Sequence, residues 1–102
     1  MNLDTYRAAT NDTAVYPDAG SGSMAELTYL AQGLAGEANE AVDCIKKALR
    51  NGGLSEQMRQ TLASELGDVI WYWVRLVHAS GYDAEGIMLA NWNKLAARHK
   101  ER

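Results

Sequence analysis

GLAGEANEAVDCIKK (Gly33–Lys47) and ELGDVIWYW (Glu65–Trp73) are the two stretches that decide how this chain folds. Each carries a pair of acids three positions apart, Glu37 with Glu40 and Glu65 with Asp68. That spacing puts both members of a pair on one face of an α-helix. Each pair also runs alongside an apolar repeat. In the first stretch and its flanks, Leu27, Leu30, Leu34, Ala38, Ala41, Ile45 and Ala48 recur at steps of three and four; in the second, Leu62, Leu66, Val69, Trp73 and Leu76 do so. Such stripes are read as bundle seams. The acids lie one residue before the seam positions, on the stripes Gly33, Glu37, Glu40, Cys44, Lys47 and Thr61, Glu65, Asp68, Tyr72, Arg75. If the two helices pack antiparallel, all four carboxylates converge at the edge of the core.

Outward from these stretches, punctuation divides the chain into four helices. Ser23, with Glu26 three residues on, predicts an N-cap and a helix running to about Arg50, stopped by Asn51, Gly52 and Gly53. Ser55 opens the next helix, which extends to about Ser80 before Gly81. Asp83 opens the last, to about Lys100, with Met88, Trp92 and Leu95 as its seam. A short helix is expected over Leu3–Thr13, followed by a loop rich in Pro, Gly and Ser (PDAGSGS) between Tyr16 and Ser23. No strand alternation of useful length and no internal repeat is present. The expected fold is an all-α bundle of about four helices in a single domain spanning residues 1–102.

The chain has 102 residues and a net charge of −3. A domain this short buries only roughly 60–65% of the surface of its unfolded chain, so assembly with further copies is expected to support it. The negative charge disfavours binding to a nucleic-acid polymer. One cysteine, Cys44, suits a reducing compartment. The start of the chain lacks an apolar signal core and no stretch approaches the roughly 20 apolar residues of a membrane span. A cytoplasmic location is the expectation.

Four converging carboxylates repel one another and raise each other's pKa. A hard divalent cation relieves this, and Mg²⁺ takes oxygen ligands while keeping waters that phosphate oxygens can replace. The alternative is that the acids are solvated helix-face charges. The di-iron spacing Glu-x-x-His is absent after these Glu residues. In the last helix Asn91, Lys94 and Arg98 form a stripe suited to polyphosphate, or to the negative end of a helix dipole. Lys47 is open to the same two readings. Trp71, Tyr72 and Trp73 are consecutive and cannot all face one way, so at least one points to a partner chain or a ligand. His78 and His99 read as structural or solvated.

The two acidic stretches resemble the MazG-type nucleotide pyrophosphohydrolases, whose pattern is Glu-x-x-Glu, a spacer, then Glu-x-x-Asp. The spacer Ala41–Ser64 has the family's length, the ending ANWNKLAAR is similar to the family's last helix, and the upstream TAVYP is similar to short phage or mobile-element members. The sequence departs from the family in Asn39, where Gly is common, and Asn93, where an acid is common. The resemblance implies hydrolysis of a nucleoside triphosphate, a dNTP or a noncanonical NTP, to monophosphate and pyrophosphate, in house-cleaning or nucleotide-pool control. Glu37, Glu40, Glu65 and Asp68 are then the catalytic and metal-holding residues for Mg²⁺, with Mn²⁺ as a substitute. Lys47, Asn91, Lys94 and Arg98 would bind the triphosphate, and an aromatic of the Trp71–Trp73 run, such as Trp73, or one from the N-terminal segment, would stack on the base. A homodimer or homotetramer with sites between subunits is also implied. Rival readings are a dUTP or phosphoribosyl-ATP pyrophosphatase, a non-enzymatic helical assembly module, and a metal-storage bundle.

Overall fold

Each helix begins on a side chain that caps it. In the computed structural model, which describes residues 1–101, the elements are α1 (Leu3–Thr10), α2 (Met24–Arg50), α3 (Glu56–Ala79) and α4 (Ala84–Lys100). Side-chain oxygens of Asn2, Ser23, Ser55 and Asp83 accept from the backbone N–H three residues on, at 2.9, 3.3, 3.1 and 2.9 Å. The caps satisfy donors that the first helical turn leaves unpaired. At the end of α2, Gly52 in the left-handed region at φ 85° turns the chain so that the Gly53 N–H returns to the Ala48 carbonyl at 2.8 Å. Helix α1 stops at Thr10 rather than Thr13, with turns over the intervening residues. Among the described residues there is no strand.

Helices α2 and α3 form an antiparallel hairpin that carries most of the helix packing. Small residues set its closeness: Ala41, Cys44 and Ala48 are buried along α2, and the Cys44 thiol donates to the Met58 carbonyl at 3.5 Å. Helix α1 packs on α3 and α4, around a cluster of Val74, Val77 and Ala84 flanked by Leu3, Tyr6, Trp73 and Ile87. Helix α4 approaches α1 and α3 but not α2.

The seam is rotated from the phase expected from the apolar repeat. Ala41 and Ala48 are buried as expected, but Ala38 is exposed and Ile45 is 45% exposed. The buried stripe is instead half-buried Glu37 with Ala41, Cys44 and Ala48, so Glu37 and Cys44 of the acidic stripe turn into the seam while Glu40 and Lys47 stay exposed. Leu66 on α3 and Met88, Trp92 and Leu95 on α4, all expected as core, are exposed, because nothing among the described residues covers those faces. The molecule is a slab of 44 × 43 × 26 Å with a radius of gyration of 16.2 Å. A compact domain of about 100 residues has one near 13 Å.

Candidate metal and nucleotide site

Nearly one turn of α3 and the middle of α2 bring three acids together. One carboxylate oxygen each from Glu37, Glu65 and Asp68 lies within 4.8 Å of the others. Glu37 and Glu65 are half-buried and Asp68 is exposed. The Oε2 atoms of Glu37 and Glu65 are shut off from solvent and have no hydrogen-bond partner. Close contact with the Glu40 carboxyl, then burial and the neighbouring Glu37, push Glu65 up to about 7. Burial, then the charge of Glu40, also raises Glu37. Glu40 lies outside the triad but against Glu65, on an exposed turn of α2.

These acceptor-only oxygens, withdrawn from water and facing one another, fit a hard divalent cation. A cation with oxygen ligands satisfies the orphaned atoms and cancels the repulsion together. The donor set contains no sulfur or imidazole, which argues against the softer transition metals.

The triad sits between two cavities. Toward the α2–α3 loop, a cavity of about 520 Å³ is lined by Glu40, Glu65, Lys47, Ser55 and Thr61 among others. Lys47 is thus on the acids' side of the hairpin. Toward the other end, a cavity of about 420 Å³ runs from Asp68 along Tyr72, Trp71, Tyr29 and Tyr16 to Thr13. Its rings form a continuous set. Tyr16 stacks on Tyr29 at 4.8 Å and 16°, Trp71 meets Tyr72 edge-on at 5.0 Å, and Tyr29 lies 6.3 Å from Tyr72. Trp71 is anchored by its indole N–H, which donates to Thr13 Oγ1 at 2.9 Å. Tyr72 lies flat on α2 because residue 33 is Gly; a Cβ there would overlap the ring, with Cζ at 2.7 Å.

Beneath these rings runs a buried polar network. The Tyr16 hydroxyl donates to Glu26 Oε2 at 2.6 Å, and the Gly20 and Gly22 N–H groups donate to the same carboxylate at 2.8 Å each. Burial alone would raise the Glu26 carboxyl; these hydrogen bonds and the Arg75 charge reverse that and leave it below its ordinary value. Arg75 donates to Thr10 Oγ1 (3.3 Å), Asn11 Oδ1 (2.6 Å) and the Tyr16 hydroxyl (3.4 Å). Ser23 caps α2, but Glu26 does not close a capping box, because its carboxylate is turned to the loop instead.

The expected site residues divide into three groups. Glu37, Glu65 and Asp68 meet, with Glu40 and Lys47 adjoining. Asn91, Lys94 and Arg98 are exposed on α4, which does not reach α2 within one chain. Trp73 packs half-buried on the Val74–Val77–Ala84 cluster, and it is Trp71 and Tyr72 of the aromatic run that wall the cavity at Asp68. Sequence reasoning gave the base to an aromatic of the Trp71–Trp73 run or the N-terminal segment, which takes in Tyr72 and Tyr16 without singling them out, read Glu26 only as a capping residue, and assigned no role to Tyr29, Gly33 or Arg75. A signal existed for most of them. The acidic stripe of α2 already holds Gly33 and, extended backward by four and three residues, reaches Tyr29 and Glu26, and that of α3 already holds Tyr72 and Arg75.

Comparison with known proteins matches residues 25–102 to the family model described as the MazG nucleotide pyrophosphohydrolase domain. The Gene 37 protein of Mycobacterium phage L5 is 40% identical over 101 residues, covering 96% of this chain and 89% of the phage protein. No solved structure matches the chain.

Proposed function

The chain belongs to the MazG nucleotide pyrophosphohydrolase family, and from that membership we propose that it hydrolyses a dNTP or noncanonical NTP to the nucleoside monophosphate and pyrophosphate. The observation that carries this reading is the triad of Glu37, Glu65 and Asp68, with two buried oxygens that have no partner in the protein. These residues, with Glu40, would hold Mg²⁺, for which Mn²⁺ can substitute. When bound, the ion supplies positive charge that withdraws electrons from the phosphates and makes water a better nucleophile at neutral pH.

The chain's own residues do the rest. Glu40, outside the triad but against Glu65, takes the proton of the attacking water on its carboxylate. Lys47 meets the phosphates from the side of the α2–α3 loop. The aromatic cavity at Asp68 takes the nucleoside; stacking on such rings contributes about 1–3 kcal/mol per base and tolerates several bases. That tolerance suits house-cleaning or nucleotide-pool control. The N-terminal segment works with the helices as one domain over residues 1–102, since Thr13 and Tyr16 wall the same cavity.

Asn91, Lys94 and Arg98 reach the phosphates from a second copy, in a homodimer or homotetramer. Supporting this, α4 exposes Met88, Leu89, Trp92 and Leu95, and α2 exposes Val42, Ile45 and Leu49, leaving apolar surface that another copy can cover. Among the described residues, no helix is long and apolar enough to cross a membrane.

Pyrophosphate release from a panel of canonical and modified NTPs and dNTPs, with and without Mg²⁺, tests the reading. The wild type should release it only with the metal, and Glu37→Gln and Asp68→Asn should each lose at least about a hundredfold, or roughly 2.7 kcal/mol of transition-state stabilisation. Folded wild-type protein that cleaves none of the panel would overturn the assignment. A response confined to dUTP would narrow it to that substrate.

A further inference from the structure

Arg75 is 4% exposed and Glu26 1% exposed, and neither touches the carboxylate triad. Replacing buried ionic groups by well-packed apolar ones is often neutral or stabilising, so stability alone is a weak reason for such a network. Its contacts point elsewhere. Arg75 lies one helical turn beyond Trp71 on α3 and spans three acceptors, on Thr10, Asn11 and Tyr16. Glu26 holds the other side of the same loop through Gly20 and Gly22. The two meet at the Tyr16 hydroxyl. Together they pin the segment from Thr10 to Gly22 so that Thr13, Val15 and Tyr16 form the outer wall of the aromatic cavity beside Asp68.

We propose that Arg75 is a positioning residue for the nucleoside end of the site, acting through Tyr16, Asn11 and Thr10 to set the wall against which the base and sugar pack. This rests on the nucleotide reading above. A planar guanidinium is needed because its fork meets Thr10 and Asn11 through one nitrogen and Tyr16 through another, whereas an ammonium offers a single nitrogen.

The test is steady-state kinetics of Arg75→Lys and of Asn11→Ala, whose position is exposed and which caps α1 through its backbone N–H rather than its side chain. Inorganic tripolyphosphate, which has phosphates and no nucleoside, serves as competitive inhibitor. Losing one charge-assisted contact should raise KM for the preferred nucleotide about tenfold. The kcat should stay within about twofold, and the Ki of tripolyphosphate should be unchanged. An unchanged KM in both variants overturns the proposal while leaving the nucleotide reading intact. A rise of KM and Ki together also overturns it, since that marks distortion of the whole site. A wild type that cleaves no nucleotide removes the nucleotide reading and this inference with it.

Discussion

Replacing Glu26 by Gln keeps the side-chain volume and removes only charge and one acceptor, which makes it a direct probe of the buried network. The carboxylate accepts three hydrogen bonds, two at Oε2 from Tyr16 and Gly20 and one at Oε1 from Gly22. An amide offers one acceptor oxygen and an NH₂ donor. Its least costly orientation keeps oxygen at the Oε2 position, and the Gly22 N–H then faces another donor. A donor left unsatisfied costs about 1–3 kcal/mol, and the two surviving bonds lose their charge assistance at up to about 1 kcal/mol each. The expected loss is about 3 kcal/mol, against a total of roughly 5–15 kcal/mol for a domain. Small domains shift by about 4–8 °C per kcal/mol, so the midpoint should fall by about 15 °C. Tyr16→Phe, which deletes a single hydroxyl, should cost about half as much. Thermal and urea unfolding followed by far-ultraviolet circular dichroism, at one fixed protein concentration, measures both. The pH dependence is a second readout. The folded carboxyl lies below its ordinary value, so its stabilisation is present above the unfolded carboxylate range and is lost as pH falls through the folded value. Glu26→Gln should flatten that acid limb. A variant within about 0.5 kcal/mol of the wild type, with the acid limb intact, would refute the assignment of the network.

The carboxylate triad predicts the opposite slope in metal-free protein: Glu65 at about 7 and a raised Glu37 mean that the folded state holds protons the unfolded chain has released. Urea midpoints should therefore fall between pH 5.5 and pH 8; Mg²⁺ should restore the value at pH 8, and Glu65→Gln should remove most of the slope, whereas a midpoint that climbs toward pH 8 without metal contradicts the cluster. Gly33→Ala should displace the Tyr72 ring, cost about 1–3 kcal/mol in the same unfolding assay and raise KM; full stability and unchanged kinetics would mean the ring does not need that seat. Ile45→Asp and Trp92→Ala should each weaken self-association, read as a lower mass by light scattering, and a wild type that is already monomeric would remove the role given to these exposed faces.

Local chemistry settled the helices before any packing was known. Caps at Ser23, Ser55 and Asp83 and stops at Gly52, Gly53 and Gly81 act within a few residues, so they can be read in order along the chain. The pairing of Glu37 with Glu40 and of Glu65 with Asp68 on a face follows from the helical period alone, and the meeting of Glu37, Glu65 and Asp68 needed only an antiparallel hairpin in addition. The rest depended on contacts between distant residues. Stripes through Ala38 and Ile45 or through Glu37 and Cys44 differ by one residue and are both compatible with a seam; Ala41 and Ala48 belong to either, and Cys44 turned inward, where its small thiol reaches the Met58 carbonyl of α3, while Ile45 stayed exposed. Among three consecutive aromatics, Tyr72 reached the site because Gly33 left room for its ring, while Trp73 turned to the Val74–Val77–Ala84 cluster. Glu26 has the spacing of a capping-box residue, and only the return of the Gly20–Gly22 loop diverted it to Tyr16. Which faces each helix carries follows from the order of its residues, because those are set by neighbours along the chain. Which face meets which was decided by the tertiary structure, because close approach depends on the volume and donors that a distant segment presents.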